Sequence, residues 1–317
     1  MSKLIHVAVG VVVGPDGKVL IAKRALNTHQ GGLWEFPGGK VDAGEVVQQA
    51  LVRELQEELA IEVRATEPLI QIRHHYPDKW VLLDVHKITQ FVGEPRGNEG
   101  QPIQWVDAKD LDKFDFPAAN QPIISAINLP STYLITGNFE DTADFAGRLN
   151  RAVATGINFV QLRIANFALH KHQELLNIAL ASARASSANL TVNCALSEFD
   201  RIVEAHPELN VGLHLSSKNA RKLYERPIEG QRLLGVSCHD ADEIIHAQKI
   251  GADYLLLSPV LATTSHPGAT PLGWNKFSAL LELANVPVYA LGGVGTAHVQ
   301  LAQAHGAQGV AGISAWW

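Results

Sequence analysis

Apolar positions along the chain follow two rhythms. Up to about residue 129 they come as strand-length runs broken by turns. Residues 5–13 are rich in β-branched side chains and read as a buried strand; Gly14-Pro15-Asp16-Gly17 is turn chemistry, and 19–22 returns as a second strand. Further on, Val47, Ala50, Leu51, Leu55, Leu59 and Ile61 form an apolar stripe at helical spacing, which predicts an amphipathic helix beginning after Gly44. Strands are expected at 69–75 and 80–91 around a Tyr76-Pro77-Asp78 turn, then a polar loop at 93–102, a short strand at 104–106 and a closing helix at 118–127. The pattern fits a mixed α/β sandwich.

Beyond a short joint at Asn128-Leu129-Pro130-Ser131 the rhythm changes. Short apolar runs at 133–136, 159–163, 190–193, 212–215, 233–237, 254–258, 288–291 and 309–313 alternate with helical stretches such as 142–155, 170–185, 241–249 and 296–305. Eight strands interleaved with helices predict a (β/α)8 barrel. The chain is therefore expected to hold two α/β domains, 1–129 and 130–317. In such a barrel Gly292, Gly293 and Ser314 follow the seventh and eighth strands, where backbone N–H groups bind phosphate.

The polar side of the 45–61 helix carries the first candidate chemistry. Glu54, Glu57 and Glu58 stand at i, i+3 and i+4, so a helix places three carboxylates on one face. Like charges so placed cost roughly 0.2–0.5 kcal/mol per pair. A divalent cation offsets that repulsion: Mg²⁺ favours hard oxygen ligands and brings phosphate oxygens with it.

Composition narrows the partners. With 317 residues, 46% hydrophobic and 18% charged, the chain has the make-up of an ordinary globular protein with ample core. Its formal net charge is −6. Neither half carries the basic surplus of a duplex-binding surface, so nucleotides rather than nucleic acid are the expected ligands. Cys194 and Cys238 have no CxxC spacing and are expected as buried free thiols. No basic and apolar leader opens the chain and no apolar run approaches transmembrane length, so no membrane is expected and the cytoplasm is the expected address.

From Gly39 to Ile61 the residues read G-x5-E-x7-R-E-U-x-E-E-x-A-U, U being apolar. This resembles the Nudix box, with Ala60 where that motif has glycine. Arg24…His29, LWEFPGGK (33–40), GEPRGNEGQP (93–102) and DFPAANQPII (115–124) are similar to the MutT-type branch of the family, over nearly all of 3–127. The resemblance implies a Nudix α/β/α sandwich that hydrolyses a nucleoside triphosphate such as 8-oxo-dGTP to the monophosphate and pyrophosphate, with Mg²⁺ or Mn²⁺. It implies that the Gly38 carbonyl, Glu54, Glu57, Glu58 and Glu99 hold metal, and that Glu54, Glu57, Glu99 and Arg53 serve catalysis, with Glu45 acting through Arg53. Arg24 and His29 would meet the phosphate end, and Phe36, Asp78 and Asn120 the purine. An asparagine amide suits that edge, since it offers a donor and an acceptor side by side.

YLIT (133–136), VQLR (160–163), GLHLS (212–216), GVSCHDADE (235–243), GADYLLLSPV (251–260) and ALGGV (290–294) resemble the thiamine phosphate synthase/TenI family. Arg163, Gly292, Gly293 and Ser314 would hold a thiamine-related phosphate. The synthase pattern has a lysine shortly after QLR where Ile164 and Ala165 stand, acids where Cys194 and Asn219 stand, and a lysine where His266 stands. Displacing pyrophosphate calls for such groups. The resemblance therefore leaves open a synthase, a tautomerase-like site using His239 and His266 as acid–base groups, or a non-catalytic phosphate sensor; in the first two cases the Nudix half could act on a thiamine-related diphosphate.

Overall fold

The computed structural model describes residues 4–28, 30–76, 79–163, 169–208, 210–263 and 268–317, with backbone only at 76 and 169–171. The chain divides into two compact units, Met1–Asn128 and Leu129–Trp317.

In the first unit β1 (Leu4–Val12), β2 (Val19–Lys23), β3 (Trp34–Glu35) and β4 (Gly38–Lys40) precede α1 (Val47–Leu59). There follow β5 (Glu62–Tyr76), β6 (Lys79–Val92), β7 (Ile103–Val106), two 3-10 turns at Ala108–Lys113 and Ala118–Asn120, and α2 (Gln121–Asn128). A mixed sheet runs β4-β1-β6-β5 and a second, antiparallel sheet runs β3-β2-β7. The alternation of β1 explains the layering. Val9 and Val11 point into a core shared with Ile21, Phe36, Val85 and Ile123. Ala8 and Val12 point the other way, onto the Leu51, Leu55 and Leu59 stripe of α1. The expected helix and main strands are present. The pair of short strands β3 and β4 was not anticipated, and β5 runs well beyond 69–75, through three register shifts, two at Ala65 and one after Pro68.

The second unit is a closed parallel barrel. Its strands are β8 (Thr132–Ile135), β9 (Phe159–Arg163), β10 (Asn189–Asn193), β11 (Gly212–Leu215), β12 (Leu234–Cys238), β13 (Tyr254–Leu257), β14 (Val288–Leu291) and β15 (Gly309–Gly312). The helices are α3 (Thr142–Ala154), α4 (Leu169–Ser186), α5 (Leu196–Ala205), α6 (Ser217–Ala220), α7 (Ala241–Lys249), α8 (Gly273–Leu281) and α9 (Val299–Ala304). Alternate strand residues face the helices and build the larger core. The others fill the lumen with Tyr133, Phe159, Tyr254 and Tyr289, as eight strands leave room for side chains and no channel.

The lumen is polar only where polarity is satisfied. Tyr133 Oη lies 2.7 Å from Thr191 Oγ1 and 2.8 Å from Tyr254 Oη, and Tyr289 donates to the Pro130 carbonyl at 2.6 Å. His214 completes the layer, with Nδ1 3.1 Å from Tyr254 Oη and Nε2 2.9 Å from Ser237 Oγ.

Candidate functional site

The acidic face of α1 is organised by one cation, Arg53. Its Nε and Nη2 donate to the two carboxylate oxygens of Glu45 at 3.1 and 2.9 Å, and Nη1 donates to Glu54 at 2.7 Å. Nη2 also reaches the Lys40 carbonyl at 3.0 Å, tying the helix to β4. The two carboxylates raise the Arg53 pKa further, and Arg53 in turn lowers that of Glu45. Glu54 lies against Gly39: a Cβ there would sit 2.2 Å from the Glu54 carboxyl carbon.

Glu58 is placed differently. It accepts from the Gly38 N–H at 3.1 Å. Burial pushes its pKa up to about 8; the Gly38 bond opposes this, while Glu35, Glu54 and Glu99 add to it. A buried carboxylate among other carboxylates is short of positive charge.

Glu99 joins this group because of how α1 ends. The last carbonyls of a helix lack intrahelical partners. Here Asn98 donates from its backbone to Glu58 O at 2.9 Å and from its side chain to Glu57 O at 2.9 Å. Gln101 donates to Glu58 O at 2.9 Å and Arg96 N–H to Leu59 O at 3.1 Å. The 93–102 loop is thus docked on the helix terminus, and Gln101 Oε1 holds the Glu99 N–H at 2.9 Å.

These residues fit a divalent ion in donor chemistry: they are hard oxygens, and among the described residues no cation pairs with the Glu58 carboxylate. Among the described residues no three acidic, histidine or cysteine side chains already converge as a cage. Of the expected ligands, Glu58 bonds the Gly38 N–H, Glu54 lies against Gly39 and is bonded by Arg53, and Glu99 acts on Glu58 through its charge; Glu57 is more exposed, with a carboxylate oxygen 3.8 Å from Arg53.

A cleft lies beside this group, between the sheets. It is lined by Val7, Val9 and Leu83 and brings Arg24, Phe36, Gly38 and Asn120 together. Phe36 stacks on Phe116 at 5.3 Å between ring centroids. Asn120 closes the 3-10 turn before α2, where the Pro117 carbonyl accepts its N–H at 2.8 Å. His29 and Asp78 fall outside the described residues. Among the lining residues that were not foreseen is Glu35, ion-paired with Arg24 across β2 and β3. Burial raises the Glu35 pKa, against the pull of Arg24. Its signal in the sequence was its place between Trp34 and Phe36, an acid inside an otherwise apolar run.

In the barrel, Arg163 ends β9 and its N–H donates to Thr136 Oγ1 at 2.9 Å. Gly292 and Gly293 follow β14 at φ 95° and 68°, conformations that favour glycine. A Cβ on Gly293 would lie 2.4 Å from the Ala262 carbonyl. Ser314 is exposed just after β15. His239, half-exposed after β12, has Nδ1 2.8 Å from Glu243 Oε2. Cys194 is buried and its thiol is pushed up to about 12, first by burial and then by Glu198 and Asp200, so it is no thiolate ligand at neutral pH. Asn219 donates its backbone N–H to Ser216 Oγ at 3.3 Å at the start of α6. Ile164, Ala165 and His266 lie outside the described residues.

Known families match both units. A NUDIX domain model covers residues 8–126, and a thiamine monophosphate synthase model covers 132–316. The 8-oxo-dGTP diphosphatase of Escherichia coli (strain K12) is 37% identical over 125 residues, which are 39% of this chain and 97% of that protein. The chain belongs to the Nudix family in its first unit and to the thiamine monophosphate synthase family in its second. The Nudix unit is also 35% identical over 124 residues to the CTP pyrophosphohydrolase of E. coli (strain K12), covering 39% of this chain and 91% of that protein. The synthase-like unit is 30% identical over 188 residues to a provisionally named thiamine-phosphate synthase 2 of Aquifex aeolicus (strain VF5), 59% of this chain and 98% of that protein. The first unit is thus a Nudix hydrolase domain, and the second a closed barrel of the synthase type. Among the described residues no helix is long and apolar enough to cross a membrane.

Proposed function

We propose that residues 1–129 form a Mg²⁺-dependent nucleoside triphosphate pyrophosphohydrolase that cleaves 8-oxo-dGTP to 8-oxo-dGMP and pyrophosphate, clearing the oxidised base from the cytoplasmic nucleotide pool. The observation that carries this reading is the cleft that gathers Arg24, Phe36, Gly38 and Asn120 beside the carboxylates of α1. The ion, or Mn²⁺ in its place, would be held by the Gly38 carbonyl, Glu54, Glu57, Glu58 and Glu99. When bound it supplies charge neutralisation at the phosphates and a more acidic water. Arg53, fixed by Glu45, orients Glu54. A carboxylate of the box, or Glu99, takes the proton of the attacking water. Phe36 and Asn120 hold the base, with Asp78 completing its surround, while Arg24 and His29 meet the phosphate end. An 8-oxo purine differs from the normal base by a few polar atoms, so selection rests on buried donors and acceptors left unpaired by the wrong base, about 1–3 kcal/mol each.

Residues 130–317 are proposed to bind a thiamine-related phosphate through Arg163, Gly292, Gly293 and Ser314, with His239 and His266 as acid–base groups. Two neutral residues in place of acids, the buried Cys194 and the half-buried Asn219, argue against pyrophosphate displacement there. The same observation favours a second reading, a barrel that senses its ligand without turning it over.

Steady-state hydrolysis of 8-oxo-dGTP, dGTP, CTP and thiamine diphosphate by the full chain with Mg²⁺ tests the main reading. A large preference for 8-oxo-dGTP is expected. Preference for thiamine diphosphate would overturn the base assignment and join both units in one pathway, and preference for CTP would overturn it without that link.

A further inference from the structure

His239 is held by more than its place in the chain. Along β12, Gly235 and Ser237 face the lumen: a Cβ on Gly235 would lie 2.6 Å from His214 Nδ1, and Ser237 bonds His214 Nε2. Val236 and Cys238 face the helices. Strand alternation therefore directs residue 239, just past the strand's C-terminal end, toward the barrel mouth. On the other side of the ring stands Glu243, which is only 8% exposed. Its Oε2 accepts both the His239 backbone N–H and the Nδ1 side of the ring, each at 2.8 Å. Its Oε1 accepts from Arg221 Nη2 at 2.9 Å, and its own backbone N–H is capped by Asp240. Among the described residues His239 Nε2 has no partner.

We propose that Glu243, backed by Arg221, is a positioning residue that locks His239 with its proton on Nδ1 and its Nε2 lone pair free at the barrel mouth. An ionised carboxylate only accepts hydrogen bonds, so the ring nitrogen facing it must be the N–H. A base oriented by a third group is the arrangement proton transfer requires. Glu243 would offset the imidazolium formed when Nε2 takes up a proton. Arg221 lies two residues beyond Asn219, on the segment where the synthase pattern carries an acid. The mouth thus retains a proton-transfer device where it lacks the groups for pyrophosphate release. This inference rests on the acid–base reading of the barrel given above.

The test is the tautomer itself. The full chain is labelled with ¹⁵N-histidine, the His239 ring is assigned through His239→Asn, and long-range ¹H–¹⁵N correlations are recorded at a pH where the ring is neutral. A single Nδ1–H species is expected, giving way in Glu243→Gln to a mixture, because a carboxamide can donate as well as accept. Unchanged signals from the other histidines would show that the variant is folded. An Nε2–H ring in the unaltered protein, or the same pure Nδ1–H species in Glu243→Gln, overturns the proposal; the first needs no variant. A ligand that binds the barrel without proton exchange would overturn the acid–base reading instead, and the tautomer result distinguishes the two.

Discussion

Arg53 shows how one side chain can arrange several others. By joining Glu45, Glu54 and the Lys40 carbonyl it settles the direction of Glu54, and among the described residues it leaves Glu58 without a cation. Removing the charge from Glu54 by Glu54→Gln should reduce hydrolysis on the order of 100-fold or more while leaving the fold intact. Near-normal turnover in a steady-state assay would sink the assignment of Glu54 to the metal. Asn120 acts at the other end of the substrate. Asn120→Ala should erode the kcat/KM ratio of 8-oxo-dGTP over dGTP by about 1–3 kcal/mol, roughly 5- to 150-fold. Equal losses on both nucleotides would remove its base-reading role. Glu35 stayed unread at this scale because an ion pair across two strands leaves no spacing in the sequence.

The element that decides the site is α1, and its termination is as informative as its acidic face. Ala60 ends the helix at φ 56° and ψ 34°, in the left-handed region, where the Nudix pattern has glycine. A non-glycine residue there costs about 1–2 kcal/mol, part of which glycine's greater backbone entropy offsets. Ala60→Gly should stabilise the Nudix unit by about 1 kcal/mol, raising its melting midpoint by about 3–5 °C. A midpoint that stays put or falls would show that the helix end has already relieved the strain. Helix α1 was legible because its apolar stripe repeats over several turns. The barrel strands were legible because turns and helices bound each apolar run. Two-residue β3 and three-residue β4 were not, since so short a strand has no period to detect, and the extension of β5 crosses Pro68 and three register shifts that interrupt alternation.

At the scale of the whole molecule, each unit carries its own core, and the change of rhythm near residue 129 was the sequence's mark of that division. What alternation could not convey was the lumen, where tyrosines and a histidine from distant strands meet only once the barrel closes. His214 there is pushed down to about 3 by burial. An unfolded histidine takes its proton near pH 6.5. Below that the unfolded chain binds a proton that the folded barrel refuses, so stability should fall as pH drops from about 6.5 toward about 3. Native-state hydrogen exchange at β11 and β12 should show opening becoming easier over this range, with a flatter dependence in His214→Gln. The same slope in both proteins would remove His214 as its source.

The Gly38-Gly39 pair carries one more consequence, for the way this chain can change. At Gly38, φ is 144° and a Cβ would lie 2.1 Å from the Ala8 carbonyl, so any replacement strains the sheet itself. At Gly39 the obstacle is the carboxylate of Glu54, the movable end of a side chain. Neighbouring glycines are therefore preserved by different forces: drift at the first is lost with the folded protein, and drift at the second with the direction of a single carboxylate. A lineage released from selection for hydrolysis would be free to lose Gly39 while still holding Gly38, leaving a folded Nudix unit whose second glycine records whether it still works.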